Sequence, residues 1–123
     1  MDMKLELVPV PVTNVDAAKS FYVDKAGFHA DIDQRLGDVR FVQLTPPGSG
    51  CSIVIGEGVT TQRPGSIDGI LLAVANAKMT YAELTGRGVE MTEPKKMPWG
   101  AIHADFKDPD GNRWTIQEKA VRG

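Results

Sequence analysis

One structural phrase occurs twice in this chain, and that repetition constrains the fold more than any other feature. Val12-Thr13-Asn14-Val15 precedes one helical pattern and Val74-Ala75-Asn76-Ala77 precedes another, an offset of 62 residues from Asn14 to Asn76. Self-similarity at a fixed offset marks a supersecondary unit used twice. Asn14 and Asn76 are natural N-caps, because a short side-chain carbonyl accepts a hydrogen bond from an unpaired N–H of the first turn. Past the caps, Val15, Ala18, Tyr22 and Ala26 share one helical face, and Ala77, Tyr81 and Leu84 share another. Gly27 is placed to stop the first helix, and Gly86 or Gly88 the second.

An apolar stretch of strand length precedes each cap, at 5–12 and 67–74, and paired strands follow each helix. Thr45-Pro46-Pro47-Gly48-Ser49-Gly50 separates Phe41-Val42-Gln43-Leu44 from Ser52-Ile53-Val54-Ile55. Asp108-Pro109-Asp110-Gly111 separates His103-Ala104-Asp105-Phe106 from Trp114-Thr115-Ile116-Gln117, and Pro47 and Pro109 keep the offset of 62. Pro109 presets φ near the value a turn needs, and Asp and Gly follow it, so the second connection is a hairpin turn. Further strands are expected at 28–34, where Phe28, Ala30 and Ile32 alternate with His29, Asp31 and Asp33, and more weakly at 88–92. The chain therefore reads as α+β, with two tandem βαβββ modules at about 4–56 and 67–119 and a Gly/Thr/Pro-rich linker at 57–66. A module of about 60 residues buries too little surface to be comfortable alone, so residues 1–123 are expected to form a single domain.

Composition narrows the function classes. Fourteen basic against sixteen acidic residues, a net charge of −2 and a pI of 5.6, with no Lys/Arg stripe, exclude a nucleic-acid footprint. The doublet Lys95-Lys96 is expected in a solvated loop. A single cysteine forms no internal disulfide, and no Cys and His residues have zinc-finger spacing. Cys51 reads as a small semi-buried thiol. No apolar run approaches the roughly 18 residues of a membrane span. The start Met1-Asp2-Met3-Lys4 lacks the pattern of a secretory leader, so the expected location is cytoplasmic. Asp108, Asp110 and Asn112 imitate the start of a calcium loop, but Gly111 comes too early and Lys119 stands where a bidentate Glu is required. Neither a Gly-x-Ser-x-Gly elbow nor a phosphate-cradling Gly-x-x-x-x-Gly-Lys loop is present.

Val12-Thr13-Asn14-Val15-Asp16-Ala17-Ala18-Lys19-Ser20-Phe21-Tyr22 and Phe106-Lys107-Asp108-Pro109-Asp110-Gly111-Asn112 resemble the first strand–helix segment and the last hairpin of the vicinal oxygen chelate superfamily. That superfamily includes glyoxalase I, extradiol dioxygenases, fosfomycin-resistance enzymes and bleomycin-binding resistance proteins, and the resemblance spans nearly the whole chain. It implies a glyoxalase/bleomycin resistance-like fold, in which two modules set their sheets side by side around a curved cleft for metal and ligand. The paired modules belong to one chain or to two swapped chains. In the family the first metal ligand, usually His, lies seven residues before the cap, which is Leu7 in the first module and Gly69 in the second. The carboxylate ligand lies four residues after the turn glycine, at Thr115, and the offset of 62 makes Ile53 its first-module counterpart. None of the four is a His or a carboxylate, whereas a divalent site needs about four or more N, O or S donors. No metal and no cofactor is therefore expected.

With Leu7 and Thr115 on the cleft side, the strand period of two brings in Leu5, Pro9, Gly69, Leu71, Ala73, Phe41, Gln43, Ile53, Ile55, His103, Asp105, Arg113 and Gln117. Val42, Leu44, Val54, Phe106, Trp114 and Ile116 then face the helices as core. Phe41, Ile53 and Ile55 are equally open to a core or dimer-interface reading. Trp99, in the loop 94–100, is either a lid over the cleft or an anchor for the loop, and His29 is expected in solvent. A mostly apolar surface with a few polar groups has the anatomy of a small-molecule site. The resemblance thus implies a metal-independent binding protein that sequesters an aromatic or amphipathic ligand, such as an antibiotic, against Phe41, Ile53 and Trp99. Gln43, His103, Asp105 and Arg113 would orient it. The expected partners are this ligand and a second copy in a homodimer, with no nucleic acid and no membrane. The alternative is a lyase, isomerase or dioxygenase-like enzyme. In it His103 does acid–base work, Asp105 orients it and Arg113 stabilises an oxyanion, or an unrecognised metal site serves.

Overall fold

In the computed structural model, which describes residues 1–121, the repeat is visible as two four-stranded sheets. The first half runs β1 (Leu7–Pro9), α1 (Val15–Ser20), β2 (His29–Leu36), β3 (Val39–Thr45) and β4 (Ser52–Gly56). The second runs β5 (Asp68–Ala73), α2 (Ala77–Gly86), β6 (Lys95–Lys96), β7 (Ile102–Lys107) and β8 (Arg113–Glu118). Strand orders are β1-β4-β3-β2 and β5-β8-β7-β6, with the first strand of each half parallel to the last and the other pairs antiparallel. This is the tandem βαβββ arrangement that the sequence pattern predicts.

Both caps form as their chemistry dictates. Asn14 Oδ1 accepts from the Ala17 N–H at 2.9 Å and Asn76 Oδ1 from the Met79 N–H at 3.0 Å. Helix α1 continues into a π-helical turn, Phe21–Lys25, closed by the Ala26 N–H on the Phe21 carbonyl at 2.9 Å. Ala18, Tyr22 and Ala26 are buried along it, with Val15 half-buried. Of the two candidate stops for α2, Gly86 stays helical and Gly88 turns the chain at a φ of +97°, letting the Val89 N–H reach the Leu84 carbonyl at 3.0 Å.

Two strands differ from expectation. β2 begins at His29 and extends to Leu36, because Phe28 turns into the core and a bulge between Ala30 and Ile32 resets the alternation. The segment 88–92 is no strand: Met91 makes one bridge to Phe106, and the edge strand of the second sheet is Lys95–Lys96, beyond Pro94. Proline lacks the N–H a ladder uses, so pairing resumes after it. The two lysines are solvated as expected, but on a sheet edge, where charge discourages further strand pairing.

The core is continuous across both halves, drawing Val10, Val42, Leu44, Ile53 and Ile55 from the first and Ala104, Phe106, Trp114 and Ile116 from the second. Trp114 lies at its centre, 5.6 Å from Tyr22, 5.4 Å from Phe28 and stacked at 6.0 Å on Phe106. A buried polar hub joins the halves beside it. Asp108 Oδ2 accepts from the Tyr22 hydroxyl at 2.7 Å and from Asn112 Nδ2 at 2.8 Å, while Trp114 Nε1 donates to the Tyr22 oxygen at 2.9 Å. Asn112 also donates to the Pro11 carbonyl at 2.8 Å and accepts from the Ile67 N–H at 3.1 Å. Burial, and then the Asp108 charge, push the Tyr22 phenol far up, so it stays protonated and can donate.

On the surface, Arg40 bridges Asp33 at 2.9 Å and Asp16, while Lys19 reaches Asp33 at 2.7 Å, tying α1 to the first sheet. The Arg40 hydrogen bonds, and then that of Lys19, hold the Asp33 carboxyl well below the usual carboxylate range. A carboxyl depressed in the folded state stabilises fully above its unfolded pKa of about 3.9 and loses that contribution as pH falls toward the folded value. The melting-temperature gap between the parent and Asp33→Asn should therefore be widest above pH of about 5 and close in acid. Because the pairs are solvent-accessible, salt should narrow the gap as well. A gap independent of pH and salt in thermal scans would remove this network from the stability of α1.

Candidate ligand-binding site

Strand register decides which side chains share a face. In the second sheet His103 lies opposite Gln117, Asp105 opposite Thr115, Leu71 opposite Thr115 and Ala73 opposite Gln117. These residues therefore line one face, away from the Phe106, Trp114 and Ile116 core. In the first sheet Leu7 lies opposite Ser52, Pro9 and Gln43 opposite Val54, and Phe41 opposite Gly56. The corresponding face thus carries Leu7, Pro9, Phe41, Gln43, Ser52 and Val54.

Ile53 and Ile55 are not on it. They pair with Leu44 and Val42 and are 4% and 0% exposed, part of the core under the helices. The reason is one residue of turn length. Leu44 opposes Ile53 and Phe106 opposes Trp114, so the first turn is one residue longer than the second and the offset falls from 62 before the turn to 61 after it. A slip of one residue sends every following side chain to the opposite face. The counterpart of Thr115 is therefore Val54, which the sequence assigns to the core.

The polar groups of the second face are tied to one another. His103 Nε2 and Gln117 Oε1 are 2.8 Å apart; Asp105 is bonded to the Thr115 hydroxyl at 2.7 Å and lies 3.4 Å from Arg113 Nη1. His103 thus has a carboxamide partner in place of the expected Asp105 carboxylate, and Asp105 serves Thr115 and Arg113. Arg113 Nη1 donates to Thr115 Oγ1 at 2.9 Å, and Nε pairs with Asp68, a bond that holds Arg113 above the usual arginine range. A recess of about 470 Å³ opens beside Asp105 and Arg113, walled by Met91, Thr92 and Lys107. Trp99 meets His103 edge to face at 5.8 Å and remains 64% exposed, so burial of the indole does not anchor its loop. The anchor is backbone: the Met97 N–H on the Ala101 carbonyl at 2.7 Å and the Gly100 N–H on the Met97 carbonyl at 2.8 Å.

A second polar row, not anticipated from the sequence, crosses the first sheet. Thr45 Oγ1 donates to Asp31 and lies 2.6 Å from Ser52 Oγ, while His29 Nδ1 is 2.8 Å from the other Asp31 oxygen. The Thr45 hydroxyl, and then His29, hold the Asp31 carboxyl below its ordinary range. The β2 bulge brings Asp31 into this row, and a bulge leaves no trace in a period of two. A larger crevice, of about 580 Å³, lies between α2 and the turn 46–49, with Phe28, Leu72 and Leu84 among its walls. Its Arg87 is committed to the Lys25 and Asp24 carbonyls at 2.9 and 3.2 Å.

The donor set at the positions inherited from the family does not fit a divalent metal. Leu7, Gly69 and Val54 offer no side-chain donor, and the Thr115 hydroxyl is already engaged by Asp105 and Arg113. The Arg113 guanidinium lies against Gly69 and would repel a dication there: a Cβ on Gly69 would be 2.9 Å from Nη2. Among the described residues no three His, Cys, Asp or Glu side chains are grouped to hold an ion.

The paired βαβββ modules define the glyoxalase/bleomycin resistance-like fold. The profile of the Glyoxalase/Bleomycin resistance protein/Dioxygenase superfamily matches residues 4–116, and the chain belongs to that superfamily. It is similar to TnmS3, an antibiotic binding protein from Streptomyces sp. CB03234, with 35% identity, a TM-score of 0.87 and coverage of 97% of this chain and 98% of that one. A glyoxalase/bleomycin resistance protein from the same Streptomyces strain is 36% identical, with a TM-score of 0.81 and coverage of 94% and 100%. The uncharacterized protein YetH of Bacillus subtilis (strain 168) is 28% identical over 121 residues, 96% of this chain and 100% of YetH. No helix among the described residues is long and apolar enough to cross a membrane.

Proposed function

We infer that this protein is a metal-independent binder that sequesters a small aromatic or amphipathic molecule, of the kind an antibiotic represents, in the cytoplasm. The observation that carries this reading is the composition of the two strand faces. Leu7, Phe41, Val54, Leu71 and the exposed Trp99 supply apolar surface; Gln43, His103, Asp105, Arg113, Thr115 and Gln117 supply fixed polar groups. The metal positions of the family are meanwhile filled by groups that do not ligate. The likeness to TnmS3, described as an antibiotic binding protein, supports the same choice. His103 bonded to a carboxamide lacks the carboxylate orienter that an acid–base role would use.

The binding unit is a homodimer in this reading. Among the described residues β1 and β5 each end a sheet with one free edge, and on their ligand side Leu7 and Leu71 are 43% and 46% exposed. A second copy that brings β1 beside the partner's β5 covers both and sets the two faces around one cleft. Sedimentation at micromolar concentration should give about twice 13.3 kDa. A monomer at that concentration would overturn the shared cleft.

Binding is tested by screening aromatic natural products for quenching of Trp99 fluorescence, with Trp99→Phe subtracting the signal of Trp114. His103→Ala and His103→Gln then separate binder from enzyme. In a binder, His103→Ala weakens affinity by about 1 to 3 kcal/mol and no turnover exists to lose. Turnover in the parent that falls by roughly 10² to 10⁴ in His103→Gln would establish the enzyme instead. One equivalent of tightly held transition metal by elemental analysis would overturn the metal-independent reading.

A further inference from the structure

The most firmly held cation on the ligand face owes its seat to a residue with no side chain. Gly69 lies at a bulge in β5, where the register against β8 shifts between Asp68 and Ile70, and its φ of +105° is one that glycine adopts without strain. Because a Cβ there would stand 2.9 Å from Arg113 Nη2, the guanidinium rests directly on the strand backbone. Its plane is fixed by Asp68 at Nε and by Thr115 Oγ1 and Asp105 on the Nη1 side, at 2.9 and 3.4 Å. Nη2 has no hydrogen-bond partner among the described residues. The fork is therefore immobilised with one amino group unspent, which is how a preorganised donor is built.

Charge decides what that donor accepts. Asp68 and Asp105 together outweigh the single guanidinium, so the cluster has no positive charge to spare for an anion. An uncharged oxygen meets no such repulsion and still receives a charge-assisted hydrogen bond. Leu71, opposite Thr115 and half exposed, offers apolar surface for a ring alongside. We propose that Arg113 Nη2 anchors the carbonyl oxygen of an uncharged aromatic ketone or similar acceptor, and that Gly69 is the positioning residue that seats the guanidinium for it. This rests on the ligand-binding reading above and narrows its ligand class.

Three compounds on one skeleton test it: fluorenone, fluorene and fluorene-9-carboxylate, measured by equilibrium dialysis against the full chain. Fluorenone should bind roughly tenfold more tightly than either of the others, the scale of one hydrogen bond to a charged donor. Arg113→Gln should erase the preference, bringing fluorenone down to the level that fluorene shows with the same variant. Gly69→Ala should erase the same preference by displacing the guanidinium, and thermal unfolding identifies a variant that fails to fold, in which case Arg113→Gln decides alone. The carbonyl stretch of bound fluorenone should rise in both variants relative to the parent, a signature that a purely structural role for Arg113 would not move. Asp68→Asn, which removes one negative charge, should improve carboxylate binding. A ketone preference that survives Arg113→Gln, or a carboxylate bound more tightly than the ketone by the parent, overturns the proposal. A parent that binds none of the three overturns the ligand-binding reading itself and this proposal with it.

Discussion

Asp108→Ala should lower the free energy of unfolding by about 4 kcal/mol, a large share of the stability of a domain this size. One carboxylate, 5% exposed, accepts from the Tyr22 hydroxyl, Asn112 Nδ2 and the backbone N–H groups of Asp110 and Asn112. Alanine orphans the first two where water does not replace the acceptor, at about 1 to 3 kcal/mol for each buried group left unpaired. It also loosens the turn that presents Asn112 to Pro11 and Ile67. Tyr22→Phe alone should cost less, about 1 to 2 kcal/mol, because it removes one donor to Asp108 and one acceptor from Trp114 Nε1 while the rest of the hub stays paired. In the double variant no Tyr22 hydroxyl remains to be orphaned, so its loss should fall short of the sum of the single losses. Urea unfolding followed by near-ultraviolet circular dichroism, which sees Trp114, measures all three. An Asp108→Ala cost below about 1 kcal/mol would mean that the hub is not what joins the halves.

The same turn shows how far a sequence can be read. Pro109, Asp110 and Gly111 announce a hairpin from local chemistry alone, and a hairpin forms. That Asp108 is buried depends on Tyr22, 86 positions earlier, meeting it across the junction of the halves, and no local pattern encodes that meeting. The caps at Asn14 and Asn76 were legible for the opposite reason: their partners lie three residues away. On the face of the second sheet away from the core the alternation in β7 and β8 is uninterrupted, so His103, Asp105, Thr115 and Gln117 could be grouped from a period of two. Asp31 could not, since it sits at a bulge where the period breaks, and Gly69, which that period grouped with Leu71 and Ala73, lies at a bulge of its own. Arg113 was legible as a cation on the right strand, whereas its seat on Gly69 and its pairing with Asp68 needed the register of a strand some 45 residues away.

The displaced face of β4 yields the second large effect, because two neighbouring positions should respond in opposite ways to the same charge. Ile55→Asp should cost more than about 4 kcal/mol and leave little folded protein at physiological temperature. Ile55 is fully buried opposite Val42, and an aspartate there both forfeits the apolar burial and leaves a carboxylate without a partner, or a protonated acid without its hydrogen bonds. Val54→Asp, one residue earlier, should cost about 1 kcal/mol, mainly the poor strand preference of aspartate, since Val54 is half-buried on the sheet face away from the core, beside Gln43 and Pro9. Its larger effect should be on binding, where the added carboxylate would weaken uptake of an apolar aromatic probe by the parent's measure. With both offsets at 62 the pattern would invert, Val54 lying in the core and Ile55 on the ligand face. Equilibrium unfolding of the two variants therefore reads out the turn length directly. Should Val54→Asp prove the more damaging, the strand would carry its side chains in the register that the unbroken repeat implies, and the ligand face would regain Ile53 and Ile55.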